Sequence, residues 1–470
     1  MTGGFYGAVR TRQARARGVL LAAIACVAQA AAAQGFADAW ERALATEPAL
    51  QAARANRTAA EERTIGARAA LLPQIDANAN RNLNRRTFVQ NTQNPFTGEP
   101  SPETGERYYA TTAQVNLTQP LWRPQNWAAL AQARESEQQA YWEALATEQD
   151  LHGKFVTAWF DVMAARDSVV NAGEQVEATR QQREVMQRGL ALGTHSEVQA
   201  AEAVARHEQA LADRAGAQTE LEAKTAVLEQ LTGPLPAFHV PQWRSGDAAF
   251  LFAPLAPLPE WLARVESDSP AVRAAQRAVA AAREEVRKQQ ALHQPTVDFV
   301  SRHARIDQGS GTSPGQPGYR SREHSWGLQL NVPIYSGGGN SARAREAAAM
   351  AMKAEADLEG ARRNALTQAR QAWATAQAAQ AKSQAAEHAL RAAEVALRAA
   401  TTGQGTGLKT VLDELQAREQ LAHARRDQQR AHYDRVVGLA RLRAAAGEPA
   451  DAFIAAIAVL LGPASSAPAR

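Results

Sequence analysis

Cysteine occurs once in the 470 residues, at Cys26, which excludes an intrachain disulfide framework and a zinc site built on several thiolates. Aromatic side chains make up only 6%, and much of the 45% hydrophobic fraction is Ala, which buries little area per residue. Beyond the N-terminal segment no run is long and apolar enough for a transmembrane helix, which needs about 20 residues. A dominant sign of charge is also missing. Lys and Arg number 52 against 48 Asp and Glu, a net +4, and no basic block stands out. That balance argues against a nucleic-acid partner. The length excludes a mini-protein and has room for about three ordinary domains.

Catalytic patterns are scarce as well. Gly403 to Thr410 (GQGTGLKT) approaches a phosphate loop, but such a loop needs Gly directly before its Lys, where this sequence has Leu408. The preceding RAAEVALRAATT reads as helix rather than strand. Gly337-Gly338-Gly339 follows a strand pattern but lacks the dinucleotide spacing. The histidines are scattered, and His207-Glu208 has no second His at metal spacing. No nucleophile–base arrangement is present, so no enzyme activity, cofactor or metal is expected.

The N-terminus reads as a secretory signal peptide. Arg10, Arg12, Arg15 and Arg17 form a positive region, Gly18 to Ala28 (GVLLAAIACVA) an apolar one, and Ala31-Ala32-Ala33 an A-x-A cleavage site before Gln34. Cys26 lies inside this segment; a lipobox would want a bulkier residue where Ala23 stands. Residues 1–33 are therefore expected to be removed, and the mature chain to leave the cytoplasm.

The remainder is written twice. Pro48 and Pro270 differ by 222, as do Pro73 in LLPQID and Pro295 in LHQPTVD. Pro120 and Trp122 in QVNLTQPLW differ by 213 from Pro333 and Tyr335 in QLNVPIY. Trp159 and Trp373 differ by 214, and Gly193 and Gly405 by 212. The offset holds, drops once by 9 and holds again, which predicts a duplication with one loop of different length. The period is far too long for a solenoid repeat. The expected organisation is a first structural repeat over 34–240, a second over 241–447 and a tail over 448–470. Each repeat reads helix, strand, strand, helix, helix. Two stretches, about Trp127 to Gly189 and Ser341 to Thr402, lack Pro and are rich in Ala, Gln, Glu and Arg. They predict helices of roughly 60–70 residues with coiled-coil-like packing, against an ordinary helix of about 11–12. Within the tail, Asp451 to Gly462 is expected to pack as an apolar helix on the outside of the helical part, and the final PASSAPAR to be disordered.

Four segments alternate with period two. Ile75, Ala77, Ala79 and Leu83 oppose Asp76, Asn78, Asn80, Asn82 and Asn84. Ala113, Val115 and Leu117 oppose Thr112, Gln114, Asn116 and Thr118; Val297 and Phe299 oppose Asp298; and Trp326, Leu328, Leu330, Val332 and Ile334 oppose Ser325, Gln329 and Asn331. Each is about ten residues, the length of a tilted membrane strand. Phe88, Tyr108, Tyr109, Trp122, Tyr319 and Tyr335 flank them like an interfacial girdle. A half-buried soluble sheet alternates in the same way, but the signal peptide and the long helices favour an outer-membrane barrel. Four strands cannot close one, since the smallest have about eight and open edges are not tolerated in lipid. The chain must share its barrel with copies of itself under cyclic symmetry. The turn-rich stretches Asn91 to Gly105 and Gln308 to Gly318 would face outward.

In LLPQID, QVNLTQPLW, QLNVPIYSGGG and the glycine turns LGTHSEVQAAEA and GQGTGLKTVLDELQA, in this order over about Phe36 to Gly447, the sequence resembles the TolC family of outer-membrane efflux and secretion ducts. The resemblance implies a mainly α fold with a β-barrel portion. It implies a homotrimer in which four strands per chain close one barrel, continued by a long α-helical periplasmic barrel. Pro73, Pro120, Pro295 and Pro333 would mark strand–helix junctions, and Trp122, Tyr335, Tyr108 and Tyr109 the membrane interface. The turns at Gly193, Thr194, Gly405 and Gly407 would form helical hairpins at the periplasmic tip. Glu197, beside Ser196, sits where the family's first hairpin carries an acid. Glu414 occupies one of two family acidic positions in the second hairpin, with Asp413 adjacent and Val411 at the other. The family's bridging basic residue falls near Gly407, which leaves Lys409 as its candidate. Three copies of each carboxylate would make a cation-attracting constriction.

The implied function is the exit duct of a tripartite export system, in the outer membrane of a Gram-negative bacterium and extending into the periplasm. The implied partners are a periplasmic adaptor, an inner-membrane ABC or RND-type pump that supplies the energy, and outer-membrane lipid. Type I protein secretion is the expected role, multidrug or small-molecule efflux its alternative, and a non-pore periplasmic coiled-coil scaffold the rival of another class.

Overall fold

A computed structural model describes residues 35–88, 104–234, 254–310, 318–405, 408–409 and 411–461. The signal peptide with Cys26, the tip of each strand connection, Gly407 and the final PASSAPAR lie outside the described residues.

The first repeat opens with α1 (residues 35–46) and α2 (Pro48–Ala69). Strands β1 (Gln74–Phe88) and β2 (Thr104–Trp122) follow, then helices α3 (Pro124–Ala191) and α4 (Glu197–Thr232). The second repeat has α5 (Leu258–Asp268), α6 (Pro270–Ala291), β3 (Thr296–Gln308), β4 (Tyr319–Asn331), α7 (Gly339–Gly405) and α8 (Val411–Ala445). A last helix, α9 (Ala450–Leu460), closes the described chain. The duplication is visible in the lengths: α2 and α6 are both 22 residues, α3 and α7 are 68 and 67, and α4 and α8 are 36 and 35.

Each repeat has one helix more than its sequence pattern suggests. Pro48 and Pro270 split the first helical stretch in two, because a proline has no N–H for the preceding turn and is best placed at the first position of a new helix. The two strand hairpins also differ in more than their loops. β1 and β2 run 15 and 19 residues, whereas β3 and β4 run 13 each, so part of the change in offset lies in the strands. All four are longer than a minimal membrane crossing of about ten residues.

The chain forms two compact units, each drawing on both repeats. One comprises residues 56–141 and 274–359, and the other the rest. The first holds the only sheet among the described residues, four antiparallel strands in the order β1-β2-β3-β4. Its helix–strand junctions repeat one contact. Asn126 at the start of α3 donates from Nδ2 to the Ala70 carbonyl at 2.7 Å, and Asn340 at the start of α7 donates to the Leu292 carbonyl at 3.1 Å. Each asparagine takes a carbonyl that its proline-terminated helix leaves unpaired. Beside them, Arg123 grips the buried Asp298 with two hydrogen bonds, Nε to Oδ1 at 2.7 Å and Nη2 to Oδ2 at 2.6 Å. Such a fork-to-carboxylate pair is among the stronger polar contacts.

The second unit carries the large-side-chain core. Phe36 and Trp40 of α1 pack on Phe155, Trp159 and Phe160 of α3, and Phe453 and Ile457 of α9 join the same cluster. The C-terminal helix is seated on α1 and α3 through one apolar side. Phe453, Ile454, Ile457 and Leu460 are buried, and its apolar sequence follows from that. Elsewhere the long helices bury mostly Ala: Ala369, Ala376, Ala379, Ala386 and Ala400 on α7. The close approach this allows is visible where a Cβ on Gly438 would stand 3.1 Å from Cα of Ala376.

His152 is a titratable residue in this core. His152 is 1% exposed, lies edge-on between Trp40 and Phe453, and has no hydrogen-bond partner at either ring nitrogen among the described residues. Burial lowers its pKa to about 4, with Asp451 acting against the shift and Arg443 with it. An unfolded chain binds this proton near 6.5, so between about pH 6.5 and 4 the unfolded state holds more protons. Stability therefore falls as the pH drops through that window, by at most about 3 kcal/mol. Thermal unfolding of wild type and His152→Phe at about pH 7.5 and pH 5 should show a smaller acid penalty in the variant.

Candidate functional site

Two places bear on function, the strand faces and the helical hairpin turns. The strand register puts the four apolar faces on one side of the sheet. Ile75 pairs with Leu117, Leu117 with Ser301 and Ser301 with Trp326. The next row along the strands is Ala77, Val115, His303 and His324; on the other side of Trp326 lie Gln119, Phe299 and Leu328. Ile75, Val115, Trp326, Leu328 and Leu330 are exposed on this face. The other face is polar, with Asp76, Asn116, Arg302 and Ser325 in one row and Asn78, Gln114, Ala304 and Glu323 in the next. Asn116 Nδ2 donates to Asp76 across the strands at 2.9 Å. An apolar face opposite an Asn-rich one is what a membrane strand needs between lipid and a wet lumen.

Three of the expected positions shift. Pro120 is not at a strand–helix junction: it lies inside β2, at a break in register between Pro120 and Trp122. A bulge tolerates the missing N–H and resets the alternation, so that Trp122 pairs with Val297 and joins the apolar face. Pro73 and Pro295 directly precede β1 and β3, and Pro333 follows β4, as junction residues. Tyr109 and Tyr108 cannot both face lipid, because neighbours in a strand point to opposite sides. Tyr109 pairs with Leu83 on the apolar face, while Tyr108 pairs with Asn84 on the polar one. Trp122 and Tyr335 stay exposed, at 54% and 86%.

The hairpin turns show the third shift. Gly189 carbonyl accepts from the N–H groups of Thr194 and His195 at 2.8 and 3.3 Å, and Gly193 has φ +72°. In the second turn Gly403 carbonyl accepts from Leu408 and Lys409 at 2.8 and 3.1 Å. These pairs, and the starts of α4 at Glu197 and α8 at Val411, all differ by 214. The counterpart of Gly193 is therefore Gly407, not Gly405, which is the last residue of α7. The same offset makes Lys409 the counterpart of His195, and Val411 that of Glu197. The phosphate-loop-like string thus begins as the last residues of α7, with the Gly403 carbonyl used as a C-terminal cap.

The polar residues at the turns divide by task. Ser196 caps α4: its Oγ accepts from the Gln199 N–H at 3.3 Å, and Gln199 Oε1 accepts from the Ser196 N–H at 3.0 Å. Thr194 Oγ1 donates to the Gly189 carbonyl at 3.0 Å. Glu197 and Lys409 are exposed. Glu414 is bound to Arg418 at 2.6 Å, with its side chain only 13% exposed. Glu197, Asp413 and Glu414 all lie in the first turn of their helices, where the dipole favours a carboxylate. Sequence reasoning missed Gly189 and Gly403, the capping acceptors; their shared offset of 214 was the available signal.

The outer membrane efflux protein family model matches residues 39–234 and 261–448 of this chain. The chain belongs to the outer membrane efflux protein family. This efflux protein is 24% identical over 443 residues to outer membrane protein TolC of Vibrio cholerae, covering 91% of this chain and 93% of that one. It is 27% identical over 419 residues to alkaline protease secretion protein AprF of Pseudomonas aeruginosa, covering 88% and 84%. Among solved structures it is similar in fold to the outer membrane protein VceC of Vibrio cholerae, with a TM-score of 0.67 at 20% identity over 88% of this chain and 97% of that one. Family members are channels, not enzymes, and work as trimers with adaptor proteins and inner-membrane pumps. The efflux protein is an outer-membrane channel of such tripartite systems, in a Gram-negative outer membrane and extending into the periplasm. A pore-free scaffold is thereby excluded.

Gly193→Ala should destabilise the first turn by about 1–2 kcal/mol through its left-handed φ, and Ser196→Ala should cost about 1 kcal/mol through the lost cap. Hydrogen exchange should speed up at residues 189–200 in both variants and stay unchanged in the strands.

Proposed function

We propose that three copies of this chain close one barrel of twelve strands, three times the four in each chain, and that the duct serves type I protein secretion. The observation that carries the first part is the sheet itself. It ends in two edge strands, β1 and β4, and one face carries an exposed apolar set that includes Ile75, Val115, Trp326, Leu328 and Leu330. Lipid can cover that face, but only further copies can pair the edges.

Support for protein cargo comes from relatives named for it. AprF is an alkaline protease secretion protein, and a second relative, PrtF of Dickeya chrysanthemi, is a proteases secretion protein, 26% identical over 361 residues. Small-molecule efflux is the second reading, supported by the outer membrane efflux protein BepC of Brucella suis at 25% identity over 435 residues. Cargo follows from the pump and adaptor that dock on the channel. Expression beside a protease-exporting ABC pump and adaptor, in a host lacking its own duct, should release active protease into the medium. Restored drug tolerance without protease release would favour the second reading.

In this proposal the hairpin turns form the periplasmic entrance, where the adaptor and pump meet the channel. Glu197, Asp413 and Glu414 set its cation preference, and Lys409 stands in for the bridging cation. Glu414 is already matched by Arg418, so the three carboxylates should differ in weight. In planar bilayers Glu197→Gln should lower the cation-to-anion permeability ratio more than Glu414→Gln does. Unchanged selectivity in the triple variant that also carries Asp413→Asn would remove these residues from the entrance.

A further inference from the structure

The apolar side of the sheet does not stay apolar along β3 and β4. Beyond Trp326, toward the strand connection, it passes through three cross-strand pairs in succession: His303 with His324, Arg305 with Arg322, and Asp307 with Arg320. The last is an ion pair at 2.9 Å, and the two histidines lie Nδ1 to Nδ1 at 2.7 Å. Arg305 and Arg322 differ. They are exposed, stand directly opposite one another, and pair with no acid among the described residues. Like charges opposed on neighbouring strands are destabilising, so the pair costs stability unless something anionic lies between the two guanidinium groups.

The surroundings narrow what that anion is. On β2 the neighbours of His303 and Arg305 are Val115 and Ala113, which add no charge. On β1 two arginines share this face: Arg81, stacked 4.7 Å from the Tyr109 ring, and Arg85, which stands opposite Arg107 of β2 nearer the end of the first hairpin. The nearby acid Glu323 belongs to the opposite face, in register with Ala304. The cationic row therefore begins where the exposed ladder Trp326, Leu328 and Leu330 ends, about 13 Å along β4 from Trp326 to Arg322. It lies toward the hairpin ends of the strands, away from the helix junctions and so away from the periplasm. A ligand there has an acyl part beside the ladder and a multiply charged head beside the arginines. Guanidinium groups match phosphate in a forked geometry.

We infer that Arg305 and Arg322, with His303, His324 and Arg320 around them, bind the phosphate monoesters of a phosphorylated glycolipid in the outer leaflet. The inference rests on the reading of this sheet face as lipid-facing.

The test uses the full-length channel purified in detergent and titrated with fluorescent diphosphoryl lipid A in matched micelles. Dephosphorylated lipid A is the control and inorganic phosphate the competitor. Wild type should bind the diphosphoryl form, bind the dephosphorylated form far more weakly, and keep its lipid in millimolar phosphate. Arg305→Gln with Arg322→Gln should weaken binding roughly tenfold to thirtyfold, as expected from two basic residues beside an anionic surface. Arg305→Lys with Arg322→Lys should retain most of it, which separates charge from misfolding. Equal binding by the glutamine variant, or equal binding of both lipids, overturns the site; displacement by inorganic phosphate overturns its assignment to a lipid. A spin label on Leu328→Cys, with Cys26 replaced by Ala, reports the face independently. Access to oxygen rather than to a water-soluble nickel chelate confirms lipid contact even if the phosphate site fails. The reverse would overturn the lipid-facing reading itself.

Discussion

A strand edge in hydrocarbon leaves N–H and C=O groups unpaired, each costing several kcal/mol, and this constraint governs the molecule. The chain builds four strands with an exposed apolar face and two edges, and nothing among its described residues covers either. Because the sheet in one chain is too small to close, the export path has to be a property of the assembly. The same constraint explains the polar opposite face, whose Asp76, Asn78, Asn116 and Gln114 would be costly in lipid and fit a wet lumen.

The helical part follows a different economy of side chains. Its long helices meet through Ala and Gly rather than large residues, so each contact gains little area but lets backbones come close. Large aromatics are kept for one cluster, where α1, α3 and α9 meet around Trp159. Composition alone, with sparse aromatics and abundant Ala, already suits such a division.

Much of this was legible in the sequence because it is periodic. Alternation at period two marked all four strands, and the common face of Ile75, Leu117 and Trp326 emerges from the register as expected. Proline-free runs marked α3 and α7 to within a few residues. What escaped notice depends on contacts between distant residues, which leave no local pattern. The Arg123–Asp298 grip and the Asn126 and Asn340 junctions are of that kind. So is the seat of α9 on α1 and α3, since its apolar sequence does not say which helices it packs against. Two misplacements had local causes. The bulge after Pro120 changes which residue faces lipid, and the turn glycines are dense enough that Gly405 was mistaken for the partner of Gly193.

Cross-linking between strand edges tests the central claim most directly. Single cysteines on β1 at Ile75, Ala77 or Ala79 are combined with one on β4 at Trp326, Leu328 or Leu330, in a chain whose Cys26 is replaced by Ala. Oxidation of the detergent-purified channel should give disulfides between chains and a ladder ending at three copies on a denaturing gel. Cross-links only within one chain, or none at any pair, would contradict a barrel closed by its own copies.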